Sequence, residues 1–116
     1  SVWTALDPST AVNGCVRIIP GSHKLGLVNP GHGSGFLTAE QAAAHCKEEE
    51  TVLVELEAGD VVLLHNWQLH SSGVNNTDIA RRAFSVCYMD AGTISRRGDR
   101  YPVIFGAGAL NSERPA

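Results

Sequence analysis

Turn residues punctuate this chain so often that only short segments of regular structure fit between them. Pro8, Asn13-Gly14, Pro20-Gly21, Pro30-Gly31 and Gly59-Asp60 break the first 60 residues into short pieces. Asn-Gly favours turns because both residues tolerate positive φ. Most of the pieces carry strand patterns. From Val2 to Asp7, Trp3, Ala5 and Asp7 share one face and Val2, Thr4 and Leu6 the other. Cys15 to Ile19 follows, and the two segments read as a hairpin joined by a medium-length loop. Thr51 to Leu56 alternates cleanly, with Val52, Val54 and Leu56 on one side. Val61 to His65 is continuously apolar up to its histidine, which predicts deeper burial, and Arg82 to Met89 alternates again. One helix is predicted, over Thr38 to Lys47. Thr38 is placed to cap it, Gln41 sits where a capping box needs Glu or Gln, and the Ala run has high helix propensity. Five strands, one helix and no βαβ spacing predict an all-β, antiparallel sandwich or barrel.

A length of 116 residues fits one domain over 1–116, with 91–116 as a C-terminal tail or contact arm. The net charge of −3 and the lack of a Lys/Arg stripe argue against nucleic acid and anionic membranes as partners. The small cluster of Arg96, Arg97 and Arg100 reads as surface charge. No apolar run reaches membrane-spanning length, and no signal peptide is visible; the chain opens almost directly in a strand, so its true beginning is expected elsewhere. Cys15, Cys46 and Cys87 are widely spaced and odd in number. They read as small hydrophobes in a reducing compartment, taken as the cytoplasm. The acidic run Glu48-Glu49-Glu50 reads as a solvated linker. The Gly-rich segment 24–35 lacks the spacing and Lys-Ser/Thr of a phosphate loop and reads as a surface loop or lid.

Chemistry is expected in the stretch from Ala58 to Arg82. Polar, coordinating side chains directly after an apolar strand are costly unless paired or liganded. His65 and His70 are five residues apart, so on one extended strand they point oppositely. His70 is a metal ligand, a general base or a hydrogen-bonded core histidine. Arg81 is either a surface charge or a carboxylate anchor, for which its planar fork is suited. Arg82 points the other way and reads as solvated, and His45 reads as a capping or solvent histidine.

Four pieces together resemble the phytanoyl-CoA dioxygenase family of iron(II)- and 2-oxoglutarate-dependent oxygenases. They are Trp3-Thr4-Ala5-Leu6-Asp7; Asn13-Gly14-Cys15-Val16 ending in Pro20-Gly21-Ser22-His23; Gly59-Asp60-Val61-Val62 followed by His70-Ser71-Ser72-Gly73 and Asn75; and Arg81. The resemblance covers residues 2–90 and looks like the C-terminal half of such a protein. It implies an incomplete double-stranded β-helix, or jelly roll. It implies Fe(II) held by a His-x-Asp/Glu pair and a distal histidine, His70, with Arg81 binding the far carboxylate of 2-oxoglutarate. Trp3, Asn13 and Ser22 would line or support the pocket, and the substrate would be a small organic molecule hydroxylated after oxidative decarboxylation of the cosubstrate. No His-x-Asp or His-x-Glu occurs anywhere in the sequence. The chain is therefore a fragment, a relative that keeps the scaffold for binding or assembly, or one half of a site completed by another subunit. A homo-oligomer covering exposed sheet edges is expected. A cupin-like metal protein built from His23, His65 and His70 is a third reading.

Overall fold

The computed structural model describes residues 1–31 and 35–109. Part of the expected loop over 24–35, and the last seven residues of the expected tail, lie outside the described residues. The chain divides into two compact units, Ser1–Val86 and Cys87–Ala116.

The first unit holds two three-stranded antiparallel sheets and one short helix. The strands are β1 (Val2–Ala5), β2 (Val16–Ile18), β3 (Val52–Val54), β4 (Val61–Leu63), β5 (His70–Ser72) and β6 (Ala83–Val86). One sheet has the order β4-β1-β6 and the other β3-β2-β5, and every pairing is antiparallel. This β-rich arrangement is that of an incomplete jelly roll, as the sequence predicts. The strands are shorter than their alternating patterns. A sixth strand, His-Ser-Ser, has neither apolar alternation nor strong β-propensity to announce it.

The expected hairpin between the first two strands does not form. β1 is the centre of one sheet and β2 the centre of the other. The turn-rich segment between them carries the chain from sheet to sheet. Ser9 pairs with Leu56 through two backbone hydrogen bonds of 2.8 and 2.9 Å. The side chain of Asn13 accepts from the Thr10 amide at 2.8 Å and donates to the Pro8 carbonyl at 2.8 Å. Both edges of β1 are filled by strands that come at least 56 residues later. A local pattern does not reveal such a partner.

Helix α1 (Ala39–His45) is capped as its sequence predicts. The Thr38 side chain accepts from the Gln41 amide at 3.2 Å, and the Gln41 side chain accepts from the Thr38 amide at 2.9 Å. His45 lies in its last turn. The acidic run Glu48–Glu50 forms a short exposed 3₁₀ turn rather than an extended linker.

The core is thin. Among the described residues only Ala5, Cys15 and Val16 are buried hydrophobics. The expected deep burial of the Val61 segment does not occur. The β1 register puts Val61, Leu63 and Phe84 on one face with Val2, Thr4 and Val86, where they are 55%, 77% and 62% exposed. Within the first unit no other described element covers that face. Of the three cysteines, Cys15 is buried but Cys46 and Cys87 lie at the surface, so only Cys15 matches the expected small core hydrophobe. Among the described residues no helix is long and apolar enough to cross a membrane.

In the second unit, Asp90 closes a turn by accepting from the amides of Thr93 and Gly92. Ser95 and Asp99 close another, in which Gly98 has φ +90°. The rings of Tyr88 and Phe105 lie 5.8 Å apart. Arg96, Arg97 and Arg100 are exposed.

Candidate functional site

His70 opens β5 and sits opposite Ile18 of β2. Its Nδ1 lies 2.8 Å from the Gln68 carbonyl. A carbonyl only accepts, so Nδ1 carries a proton and, in the neutral ring, Nε2 keeps its lone pair. Such a second-nitrogen hydrogen bond orients an imidazole for metal ligation. The segment before His70 is fixed by Ser22. Its buried hydroxyl accepts from the Leu69 amide at 2.9 Å and from the Gln68 side-chain amide at 2.7 Å. Gln68 also donates to the Ile19 carbonyl at 2.6 Å, and the Ile19 amide donates to the Leu69 carbonyl at 3.1 Å. The Pro-Gly-Ser-His turn thus serves as the anchor of the His70 strand.

His65 has the opposite tautomer. Its Nδ1 accepts from the Trp67 amide at 3.1 Å, so in the neutral ring Nε2 holds the proton and is not free to bind a metal. Its ring centroid lies 5.2 Å from that of His23 and 5.7 Å from that of Trp67. Two of the three histidines of the cupin-like reading therefore meet. Among the described residues, however, no group of three or more His, Cys, Asp or Glu side chains is placed to hold a metal.

Arg81 is fastened to the Asn13-Gly14 turn, where its Nε donates to the Asn13 carbonyl at 3.0 Å. Burial pushes the neighbouring Cys15 thiol pKa up and the Glu55 charge adds to the rise, while the positive charge of Arg81 opposes it. Gly73, directly after β5, presses on the same turn. A Cβ on Gly14 would lie 2.6 Å from the Gly73 carbonyl oxygen. The loop from Gly73 to Arg81 therefore starts and ends against one turn. Asn75 staples that loop internally: its side chain accepts from the Thr77 amide at 3.0 Å and hydroxyl at 2.7 Å, and donates to the Ile79 carbonyl at 2.7 Å. The role of Asn75 as a staple was not read from the sequence, although Asn followed two residues later by Thr is an Asx-turn signal.

The Arg82 side chain is 74% exposed, as expected of a solvated charge, but it is also paired. Its guanidinium donates to both Asp7 carboxylate oxygens at 2.8 Å, and its amide donates to Asp7 as well. These bonds hold the Asp7 carboxyl at a pKa of about 2. They also tie the end of β1 to the start of β6, directly beside Arg81.

Trp3 lies mid-β1 opposite Val62 and Ser85. A cavity of about 380 Å³ lies against β2 and β5. Its walls include His70, Ser71, Arg17, Leu27, Phe36, Leu37, Ala42 and Leu69. Trp3, Asn13, Ser22 and Arg81 do not line it. Asn13 and Ser22 spend their side chains on the loop clips described above.

The two antiparallel sheets, with a tautomer-fixed histidine on one edge strand, define a β-rich protein of incomplete jelly-roll type. Comparison of the sequence with known families and proteins narrows this. The phytanoyl-CoA dioxygenase (PhyH) family matches residues 1–83, and the chain belongs to that family. A phytanoyl-CoA dioxygenase of Arabidopsis thaliana is 37% identical over 86 residues, covering 73% of this chain and 30% of that protein. A mouse phytanoyl-CoA dioxygenase domain-containing protein 1 is 32% identical over 107 residues, covering 84% of this chain and 36% of that protein. The bovine peroxisomal phytanoyl-CoA dioxygenase is 31% identical over 94 residues, covering 77% and 28%.

These findings correct two expectations. The chain is not a C-terminal half: the family match occupies the first 83 residues of this chain rather than 2–90, and the chain spans only about a third of the length of these relatives. The cytoplasmic location is also overturned, because one family member is peroxisomal by name. Cysteine spacing reports redox state only, and many compartments share one.

Proposed function

We propose that this chain carries the distal-histidine and arginine part of an iron(II)- and 2-oxoglutarate-dependent oxygenase site. His70 is the metal ligand, through Nε2. Arg81 anchors the far carboxylate of 2-oxoglutarate through the guanidinium nitrogens that its bond to Asn13 leaves over. The single observation that carries this reading is the His70 Nδ1 to Gln68 carbonyl bond, which leaves the lone pair of the neutral ring on Nε2. Bound iron would supply the oxidative decarboxylation of the cosubstrate and the oxidation of a small organic substrate. This chain's own residues orient and hold: Ser22 and Gln68 fix the His70 strand, while Asn13, Gly14 and Gly73 fix both ends of the loop leading to Arg81. The remaining iron ligands come from outside the described residues, since one histidine holds iron poorly.

Anaerobic titration of the chain with Fe(II), with and without 2-oxoglutarate, tests the reading. Weak binding that is tightened by 2-oxoglutarate, lost in His70→Ala and made independent of 2-oxoglutarate in Arg81→Ala is expected. Equal Fe(II) binding by the chain and by His70→Ala, or no binding in any form, refutes a cofactor role for the isolated chain.

A second reading, assembly through the sheet, is favoured by the exposed Val61, Leu63 and Phe84 face. Self-association that covers it is expected in sedimentation velocity and is weakened by Leu63→Lys. A chain that stays monomeric at high concentration excludes this reading.

A further inference from the structure

The cavity against β2 and β5 holds a feature that the iron reading does not use. In the β2–β5 ladder Arg17 is opposite Ser71 and Ile18 is opposite His70. Side chains alternate along strands, so Arg17 and Ser71 share the face opposite to that of Ile18 and His70. β5 is the edge of its sheet, and residues from both pairs, Arg17 with Ser71 and Ile18 with His70, line the cavity there. Most of its walls are apolar, from Leu27, Val28, Phe36, Leu37, Ala42 and Leu69.

Among the described residues Arg17 is the one Lys or Arg side chain lining this cavity. Its Nε donates to the Ser71 hydroxyl at 3.0 Å, and one terminal nitrogen reaches Glu48 at 3.4 Å. That contact is long and single, and the Glu48 side chain is 84% exposed, so it is a weak competitor. The other guanidinium N–H groups are free for a ligand's carboxylate, which accepts best in a two-pronged arrangement. Small-molecule sites typically combine apolar walls with a few placed polar groups in this way. A volume of about 380 Å³ holds on the order of a dozen non-hydrogen atoms, at about 30 Å³ each.

We propose that this cavity is a binding site for a small amphiphilic carboxylate, its apolar body on Leu27, Phe36, Leu37 and Leu69 and its carboxylate on Arg17. The site stands on Arg17 and the cavity alone, and holds whether or not the chain binds iron.

Calorimetric titration of the full chain with decanoate, which has a dozen non-hydrogen atoms, and with 1-decanol tests this. Decanoate binds at least tenfold more tightly than decanol. Arg17→Gln erases that preference while decanol binding persists, which shows that the cavity is intact. Glu48→Gln removes the competing carboxylate and tightens decanoate severalfold. Equal affinity for the two probes, a preference that survives Arg17→Gln, weaker decanoate binding by Glu48→Gln, or no binding of either probe by a chain with its β-sheet circular dichroism spectrum overturns the proposal.

Discussion

Replacing Gly14 with Ala tests whether the Asn13-Gly14 turn is the fixed point of the site. Gly14 has φ +78°, and a left-handed conformation costs a non-glycine residue about 1–2 kcal/mol. Its added Cβ would also lie 2.6 Å from the Gly73 carbonyl oxygen and 2.8 Å from the carbonyl carbon. Those atoms are backbone and have no rotamer to retreat into, so overpacking adds about 1–3 kcal/mol. The expected total is about 2–5 kcal/mol. Gly59→Ala is the control: its φ is +96°, but a Cβ there meets nothing within 4 Å, so it carries the strain alone. Urea unfolding followed by circular dichroism separates the two. With an m-value of about 1–2 kcal/mol/M for a chain of this size, the overpacking cost lowers the Gly14→Ala midpoint by about 0.5–3 M beyond that of Gly59→Ala. Two midpoints that fall together would refute the argument, because the Gly73 approach would then cost nothing. Gly73→Ala, whose Cβ would lie 3.1 Å from the Gly14 Cα without positive φ, falls between wild type and Gly14→Ala.

Ser22→Ala removes the acceptor of the part-buried Leu69 amide and of the Gln68 side chain; a stability loss of about 1–3 kcal/mol is expected, and a loss below about 0.5 kcal/mol in urea unfolding would mean that the hydroxyl is replaceable by water. Asp7→Asn tests the clip to Arg82. The folded carboxyl titrates at about 2 against an ordinary value of 3.8. Its contribution is therefore complete above about pH 4 and is lost as pH falls toward 2. The stability gap between wild type and Asp7→Asn should be flat from pH 5 to 7 and should narrow below pH 4. A gap that stays constant down to pH 3 contradicts this. Thr38→Ala breaks the capping box and lowers the helical signal with a loss of about 1 kcal/mol; unchanged helicity would show that the helix is held by packing alone.

What local chemistry dictates was readable in advance. The α1 helix and its Thr38/Gln41 box depend on residues three apart, so pattern sufficed. The approximate positions of β1, β3 and β6 follow from period-two alternation. What failed depends on distant partners. The β1–β2 hairpin was wrong because the neighbours of β1 are β4 and β6, and loop spacing holds no information about them. β5 escaped because His-Ser-Ser becomes a strand only through its pairing with β2. Arg82 is exposed as expected, but its pairing with Asp7 was not legible because that partner is 75 residues earlier. Apolar content correctly marked Val61 to Leu63 as a strand but wrongly as buried, since burial needs a covering element and composition names none.

The histidines show how far residue type alone goes and where geometry takes over. His65 and His70 have the same side chain, five residues apart, on either side of one bend. Each uses Nδ1 in a hydrogen bond with its own local backbone. For His70 the partner is a carbonyl, two residues before it; for His65 it is an amide, two residues after. That reversal of donor and acceptor assigns the free lone pair to Nε2 in one ring and denies it in the other. Converting His65 into a ligand would require breaking the Trp67 amide bond and turning the ring. His70 requires neither, and the Ser22–Gln68 clasp fixes the carbonyl that sets its tautomer. The Pro-Gly-Ser-His turn, 47 residues earlier in sequence than the strand it holds, therefore contributes to the site by positioning its ligand rather than by touching what the ligand binds.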